Sequence, residues 1–127
     1  MRPNCVFGIY IALLAACNPA KDETREFIPG TYATSFKDSL SVVKDTFYIN
    51  VLTTSGSDQF AVINNMASLQ TIDGNVQPLQ RKTNNWTGTY DDRNKTILVN
   101  QTGAILAFDP AKKEMKLGIV SYKKLKL

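Results

Sequence analysis

Asp45-Thr46-Phe47-Tyr48-Ile49-Asn50-Val51-Leu52 alternates side chains in twos, with Thr46, Tyr48 and Asn50 on one side and Phe47, Ile49 and Val51 on the other. A period of two is the signature of a strand that buries one face. Residues 53–58, Thr-Thr-Ser-Gly-Ser-Asp, have the composition of a hairpin loop, and residues 59–64 return from it. Further on, residues 68–72 and 76–82 flank Asp73-Gly74-Asn75, and Asp-Gly is a strong hairpin signal because glycine accepts positive φ. Pro78 lies inside the second of these runs, which predicts an edge strand or a bulge there.

The same pattern continues to the C-terminus. Residues 86–91 form a strand and 91–95 turn it; 96–100 and 104–108 follow, and Asp109-Pro110-Ala111-Lys112-Lys113 turns again. Residues 115–120 and 122–125 read as one long strand bent near Ser121. Upstream, residues 30–36 are a first strand and 37–44 a loop. No convincing amphipathic helix interrupts the series. Connections this short join antiparallel neighbours, so the expected fold is all-β: an antiparallel up-and-down meander rolled into a small, lipocalin-like barrel or half-barrel. A two-sheet β-sandwich is the alternative. The strands read as shorter than the roughly 10 residues of a membrane-spanning strand, and aromatic girdles are missing, which argues against an outer-membrane pore.

The N-terminus is of another kind. Arg2 and the terminal amine precede an unbroken apolar run, residues 6–14, which ends in Ala15-Ala16. A basic start, a short apolar run and small residues describe a secretory signal. The run is about half the ~20 residues a membrane-spanning helix needs. Leu14-Ala15-Ala16-Cys17 resembles a bacterial lipobox, which implies signal-peptidase recognition through Leu14, Ala15 and Ala16, cleavage before Cys17, and diacylglyceryl transfer to the Cys17 thiol. Two or three acyl chains anchor where one would slip off, at about 0.8 kcal/mol per buried methylene. The expected layout is a signal peptide over 1–16, a lipidated cysteine with a flexible tether over 17–26, and a single β domain over 27–127. Asn18 differs from the Asp that retains proteobacterial lipoproteins in the inner membrane, so an outer-membrane location is expected. Lys21-Asp22-Glu23 with Glu26 is similar to the acidic export signals of surface-exposed Bacteroidota lipoproteins, against which stands a periplasm-facing position.

Composition narrows the chemistry. The chain has 15 basic and 11 acidic residues, and loss of Arg2 with the leader leaves 14 against 11, a net +3. The basic residues are spread along the chain and concentrate in Lys123-Lys124-Leu125-Lys126, read as a solvated last strand. No basic stripe interleaved with aromatics argues for nucleic acid. Of two cysteines, Cys5 leaves with the leader and Cys17 carries lipid, so no disulfide or thiol nucleophile remains. Histidine is absent. Ser-His-Asp and Cys-His sites and an ordinary zinc site are thereby excluded, and a non-enzymatic protein with no cofactor and no metal is expected. Asp91, Asp92 and Asn94 could meet around a hard cation, but they lack the glycine and distal glutamate of a calcium loop; a polar turn in which Asp caps backbone amides is the reading preferred.

Two further resemblances bear on function. Lys82-Thr83-x-x-Trp86-x-x-x-Tyr90-Asp91, Gly103-x-Ile105, Phe108-Asp109-Pro110, Gly118 and Tyr122-Lys123-Lys124, with Ile28-Pro29-Gly30-Thr31-Tyr32 and Asp45-Thr46, resemble a group of small Bacteroidota outer-membrane lipoproteins, some encoded beside conjugative-transfer genes. The resemblance implies a barrel-like domain on an outer-membrane anchor, and its motifs are turn and core residues. Asp38-Ser39-Leu40 is similar to the Bacteroidota O-glycosylation pattern, which makes Ser39 a candidate modification residue. Trp86 and Tyr90 are candidate ligand or partner contacts, with Phe47, Tyr48 and Phe60 as further aromatics for a pocket. The function expected is an envelope protein-interaction or accessory module, held to the membrane by its lipid and partnered by another envelope protein. The alternative is a small barrel that binds an apolar or glycan ligand.

Overall fold

In the computed structural model, residues 22–52 and 58–125 are described; the predicted leader, Cys17 and most of the loop between 53 and 58 lie outside them. A five-residue helix, α1 (Glu23–Phe27), precedes nine strands: β1 (Gly30–Lys37), β2 (Ser41–Val51), β3 (Gln59–Ile72), β4 (Asn75–Val76), β5 (Gln80–Asp91), β6 (Thr96–Val99), β7 (Ile105–Asp109), β8 (Glu114–Leu117) and β9 (Val120–Lys124). Each barrel strand is antiparallel to its neighbours. β9 pairs with β1 and β2 with β3, so eight strands close into a barrel, and β4 hangs outside on β3. The up-and-down barrel is the fold, in preference to the sandwich.

An eight-stranded barrel is just wide enough for side chains to fill it, and here they do. Tyr32 comes from β1, Phe47 and Ile49 from β2, Phe60 and Val62 from β3, and Tyr90 from β5. Ile97 and Val99 of β6, Leu106, Met115 and Tyr122 complete the packing from the last four strands. The alternation read in residues 45–52 is the inward register of β2: Asp45, Phe47 and Ile49 are buried. Gly88 sits where β5 crosses closest to Val62 and Ile97, and any Cβ there would overlap Ile97 Cγ2.

The ends differ. At one, α1 is a plug. Asp22 caps it by accepting from Arg25 N–H at 3.1 Å, and also accepts from the Tyr90 hydroxyl at 2.7 Å and Lys95 Nζ at 3.2 Å. Arg25 meets Asp58 at 2.5 Å. Ile28, fully buried, enters the barrel beneath the Tyr32 hydroxyl, which donates to its carbonyl at 2.8 Å. Lys124 lies over the Phe27 ring at 4.2 Å and donates to the Phe27 carbonyl. Gly30 leaves room for that lysine: a Cβ would stand 2.6 Å from Lys124 Cε.

Several boundaries depart from the sequence reading. α1 occupies the stretch expected to be the last part of a flexible tether, because long-range contacts hold it. The expected loop at 37–44 is a tight turn over 38–40, where Asp38 accepts from the Leu40 and Ser41 N–H groups at 2.8 Å. Two short strands expected over 59–72 are one, β3, hydrogen-bonded on both sides. Residues 86–91 are the end of β5, which starts at Gln80, and Pro78 falls in the break between β4 and β5. The single bent strand expected near Ser121 is a hairpin, β8–β9, turned at Gly118 (φ +61°) and Ile119, as glycine at the first position of a two-residue turn allows. Asp73 and Gly74, both at positive φ, make the predicted β3–β4 turn. β2, β3 and β5, at 11, 14 and 12 residues, exceed the expected strand length, whereas β6 and β8 have four.

Candidate functional site at the open end

That inequality in strand length shapes the other end. β5 pairs with β3 over its whole run from Gln80 but with β6 only from Gly88 onward. β1 pairs with β9 at Tyr32 and Ala33, while its pairing with β2 continues to Lys37. The long strands therefore leave the barrel wall and project as a ribbon of β1, β2, β3 and β5.

Between ribbon and barrel lies the mouth, a cleft of about 380 Å³. Its apolar lining comes from Phe47, Met66, Val99, Ala104, Leu106 and Leu117; Trp86 forms one wall and Lys82 the rim. At its base is a chain of hydrogen bonds among buried and half-buried side chains. The Tyr122 hydroxyl donates to Asp45 Oδ2 at 2.6 Å, Asn64 Nδ2 donates to Asp45 Oδ1 at 2.5 Å, and Asn84 Nδ2 donates to Asn64 Oδ1 at 3.1 Å. Asp45 and Asn64 are 6% and 3% exposed, so the carboxylate depends on these partners in place of water. Burial first, then the Asp45 hydrogen bond and charge, push the Tyr122 phenol well above its ordinary value. Among the described residues, neither the Trp86 indole N–H nor the Lys82 ammonium has a hydrogen-bond partner.

On the ribbon's outer face is a larger groove of about 540 Å³. Val42, Thr46 and Tyr48 of β2, Ala67 and Leu69 of β3, and Leu79 from the β4–β5 connection line it, together with the cations Lys44, Arg81 and Lys82. Among the described residues no carboxylate lines it. Beyond it, Leu40, Ile72 and Val76 are 63%, 52% and 66% exposed at the ribbon's tip. A contiguous apolar surface with a polar rim is what interaction sites share.

The predicted residues are divided between the two ends. Trp86 and Tyr90 share the inner face of β5, but Trp86 faces the mouth while Tyr90, 4% exposed, closes the plugged end through Asp22. Phe47 and Phe60 are core, with Phe47 also at the mouth's base, and Tyr48 faces the outer groove. Ser39 lies exposed in the 38–40 turn. Asp91 accepts from Arg93 N–H at 2.9 Å and Asn94 Nδ2 at 2.8 Å, the polar turn preferred above. Lys123 of the last strand is largely exposed and pairs with Glu114 at 2.7 Å, whereas Lys124 is turned onto α1. Leu14, Ala15, Ala16 and Cys17 lie outside the described residues. Sequence reasoning missed Asp45, Asn64 and Tyr122 as a cluster. The available cue was that Asp45 and Asn64 occupy the inward register of otherwise apolar strands.

Comparison with protein-family models, curated proteins and solved structures finds no match. Fold and site therefore define the class: a closed eight-stranded antiparallel barrel, plugged at one end by a short helix and carrying a ribbon at the other.

Proposed function

We propose that this chain is a non-enzymatic, lipid-anchored lipoprotein of the outer membrane, and that its barrel presents the ribbon to another envelope protein. It serves as an interaction or accessory module, and the lipoprotein group it resembles points to a conjugative-transfer assembly as one setting. The observation that carries the reading is the ribbon's uncovered apolar groove, with Leu40, Ile72 and Val76 exposed beyond it. The test is a crosslinked pull-down of the intact lipoprotein from its native membrane. A Cys17→Ala control reports on the anchor and Leu69→Glu on the groove. The same envelope proteins should co-purify with the anchored wild type and be lost from both variants. Recovery of nothing reproducible, or equal recovery with Leu69→Glu, removes the reading.

The mouth supports a second reading, in which the barrel binds a small apolar or glycan ligand. Its volume and mixed lining fall within the range of ligand clefts, which commonly open at barrel mouths, and Trp86 offers a flat apolar face with an unused N–H. Titration of Trp86 fluorescence against a panel of saccharides and fatty acids tests it, with Trp86→Leu as the control.

A further inference from the structure

We infer that the partner is held by strand addition: an extended, acidic segment of it pairs with the free edge of β5 between Gln80 and Trp86. The inference rests on the interaction reading above and specifies how that contact is made.

The ladder shows which backbone groups are free. Tyr90 N–H donates to the Asp58 carbonyl, which places the N–H and C=O groups of even-numbered β5 residues toward β3. Asn100 N–H donates to the Thr87 carbonyl, which places the odd-numbered ones on the opposite side. There the neighbouring strand stops. Thr87 N–H is taken by the Gln101 side chain at 2.9 Å, and Asn100 Nδ2 donates to Thr87 Oγ1 at 3.0 Å, so the β6–β7 turn closes the ladder at this residue. Arg81, Thr83 and Asn85 follow with their backbone N–H and C=O groups facing outward, and among the described residues nothing pairs with them. The stretch 80–86 spans about 20 Å at ~3.3 Å per residue, enough for a strand of ordinary length. Exposed edges of this kind are templates for a second chain.

Charge selects the occupant. Arg81 and Lys82 lie on this edge and Lys44 in the adjoining groove, and among the described residues no carboxylate lines that groove. A second copy pairing through the same edge would bring the same cations against themselves, whereas an acidic segment would neutralise them. Side chains alternate across the added strand. One face would lie beside Arg81 and Thr83 in line with the groove; the other would lie beside Lys82, Asn84 and Trp86 over the mouth. The partner segment thus carries carboxylates opposite Arg81 and Lys82 and an apolar side chain opposite Trp86. A membrane surface offers no backbone N–H and C=O groups to complete the ladder, so it does not fit this edge. The segment toward Cys17 leaves from Asp22 at the plugged end, and the free edge lies at the far end of β5.

The test uses the full-length lipoprotein in its native membrane. A photo-reactive residue in place of Thr83 is crosslinked in cells, and the joined peptide is sequenced. The expected product is an extended acidic segment of the same protein that the pull-down recovers. Asn85→Pro removes one outward N–H, leaves the β3 ladder intact and should reduce recovery more than tenfold. Arg81→Glu combined with Lys82→Glu should do the same without touching the backbone, which covers the case in which the proline variant misfolds. If the partner is recovered undiminished with both folded variants, or position 83 joins to lipid or to a second copy, strand addition is wrong while the interaction reading stands. If the wild type recovers no partner, both fall.

Discussion

The Tyr122 hydroxyl and the Asp45 carboxylate, 77 residues apart in the chain, meet at 2.6 Å inside the barrel and tie β9 to β2 beneath the mouth. Neither strand pairs with the other, so this bond crosses the interior. Tyr122→Phe should leave a buried carboxylate short of a partner and destabilise the fold by about 2–3 kcal/mol in urea unfolding. Combining it with Asp45→Asn should give a coupling energy of at least ~1 kcal/mol in a double-mutant cycle. Simple additivity would show that the bond contributes nothing of its own.

Gly88 should tolerate no side chain. Its Cβ would fall on Ile97 and press on Val62 at 3.2 Å, both fully buried. Gly88→Ala should lower stability by about 1–3 kcal/mol, the usual range for overpacking. An Ile97→Val partner substitution should recover part of the loss; an unchanged melting temperature for Gly88→Ala alone would contradict the packing described.

Acid should loosen the plugged end. Burial pushes the Asp22 carboxyl up, but hydrogen bonds from Tyr90, Arg25 N–H and Lys95, with the Lys95 charge, outweigh it and leave its pKa below the ordinary 3.8. A depressed carboxyl stabilises the fold above its unfolded pKa, and that contribution is lost as pH falls through the folded value. The stability difference between wild type and Asp22→Asn should therefore be constant above about pH 5 and shrink below the ordinary carboxylate range. A difference that persists unchanged at pH 2 would show that the carboxylate charge is irrelevant.

Alkali acts in the opposite sense. Burial holds the phenols of Tyr32, Tyr90 and Tyr122 above their ordinary 10.0. Groups with raised folded pKa values stabilise below the unfolded value, and the contribution is lost as pH rises through the folded one. Stability should decline once pH exceeds 10, and phenolate absorbance from these three should appear with unfolding. Their ionisation in the intact fold near pH 10 would mean the barrel is leakier than its packing implies.

Most of the barrel was legible because its cues are local. The alternation of residues 45–52 marked the inward face of β2, and Asp73-Gly74 marked a turn that the backbone makes. What was illegible depends on partners distant in sequence. Residues 23–26 look like a polar tether until Asp22 meets Tyr90, 68 positions away. Residues 65–67 fall between two expected strands, yet β3 runs through them because β2 and β5 hold both of its edges. The candidate site was legible only in its aromatics, Trp86 and Phe47 at the mouth and Tyr48 in the outer groove. The ribbon that frames it arises from a mismatch between a 12-residue β5 and a four-residue β6, which no single segment reveals.

The placement of the plug at one end and the free edge at the other has a mechanical meaning. A pull on the tether, resisted by a protein held at the ribbon, would load the molecule lengthwise. β1 leads directly from α1 and pairs with β2 at every position from Gly30 to Lys37. Force along its axis would strain all those bonds together, in shear, and would not peel them one after another. If Cys17 is anchored as proposed, the barrel would act as a stiff link between a membrane and whatever grips its far end.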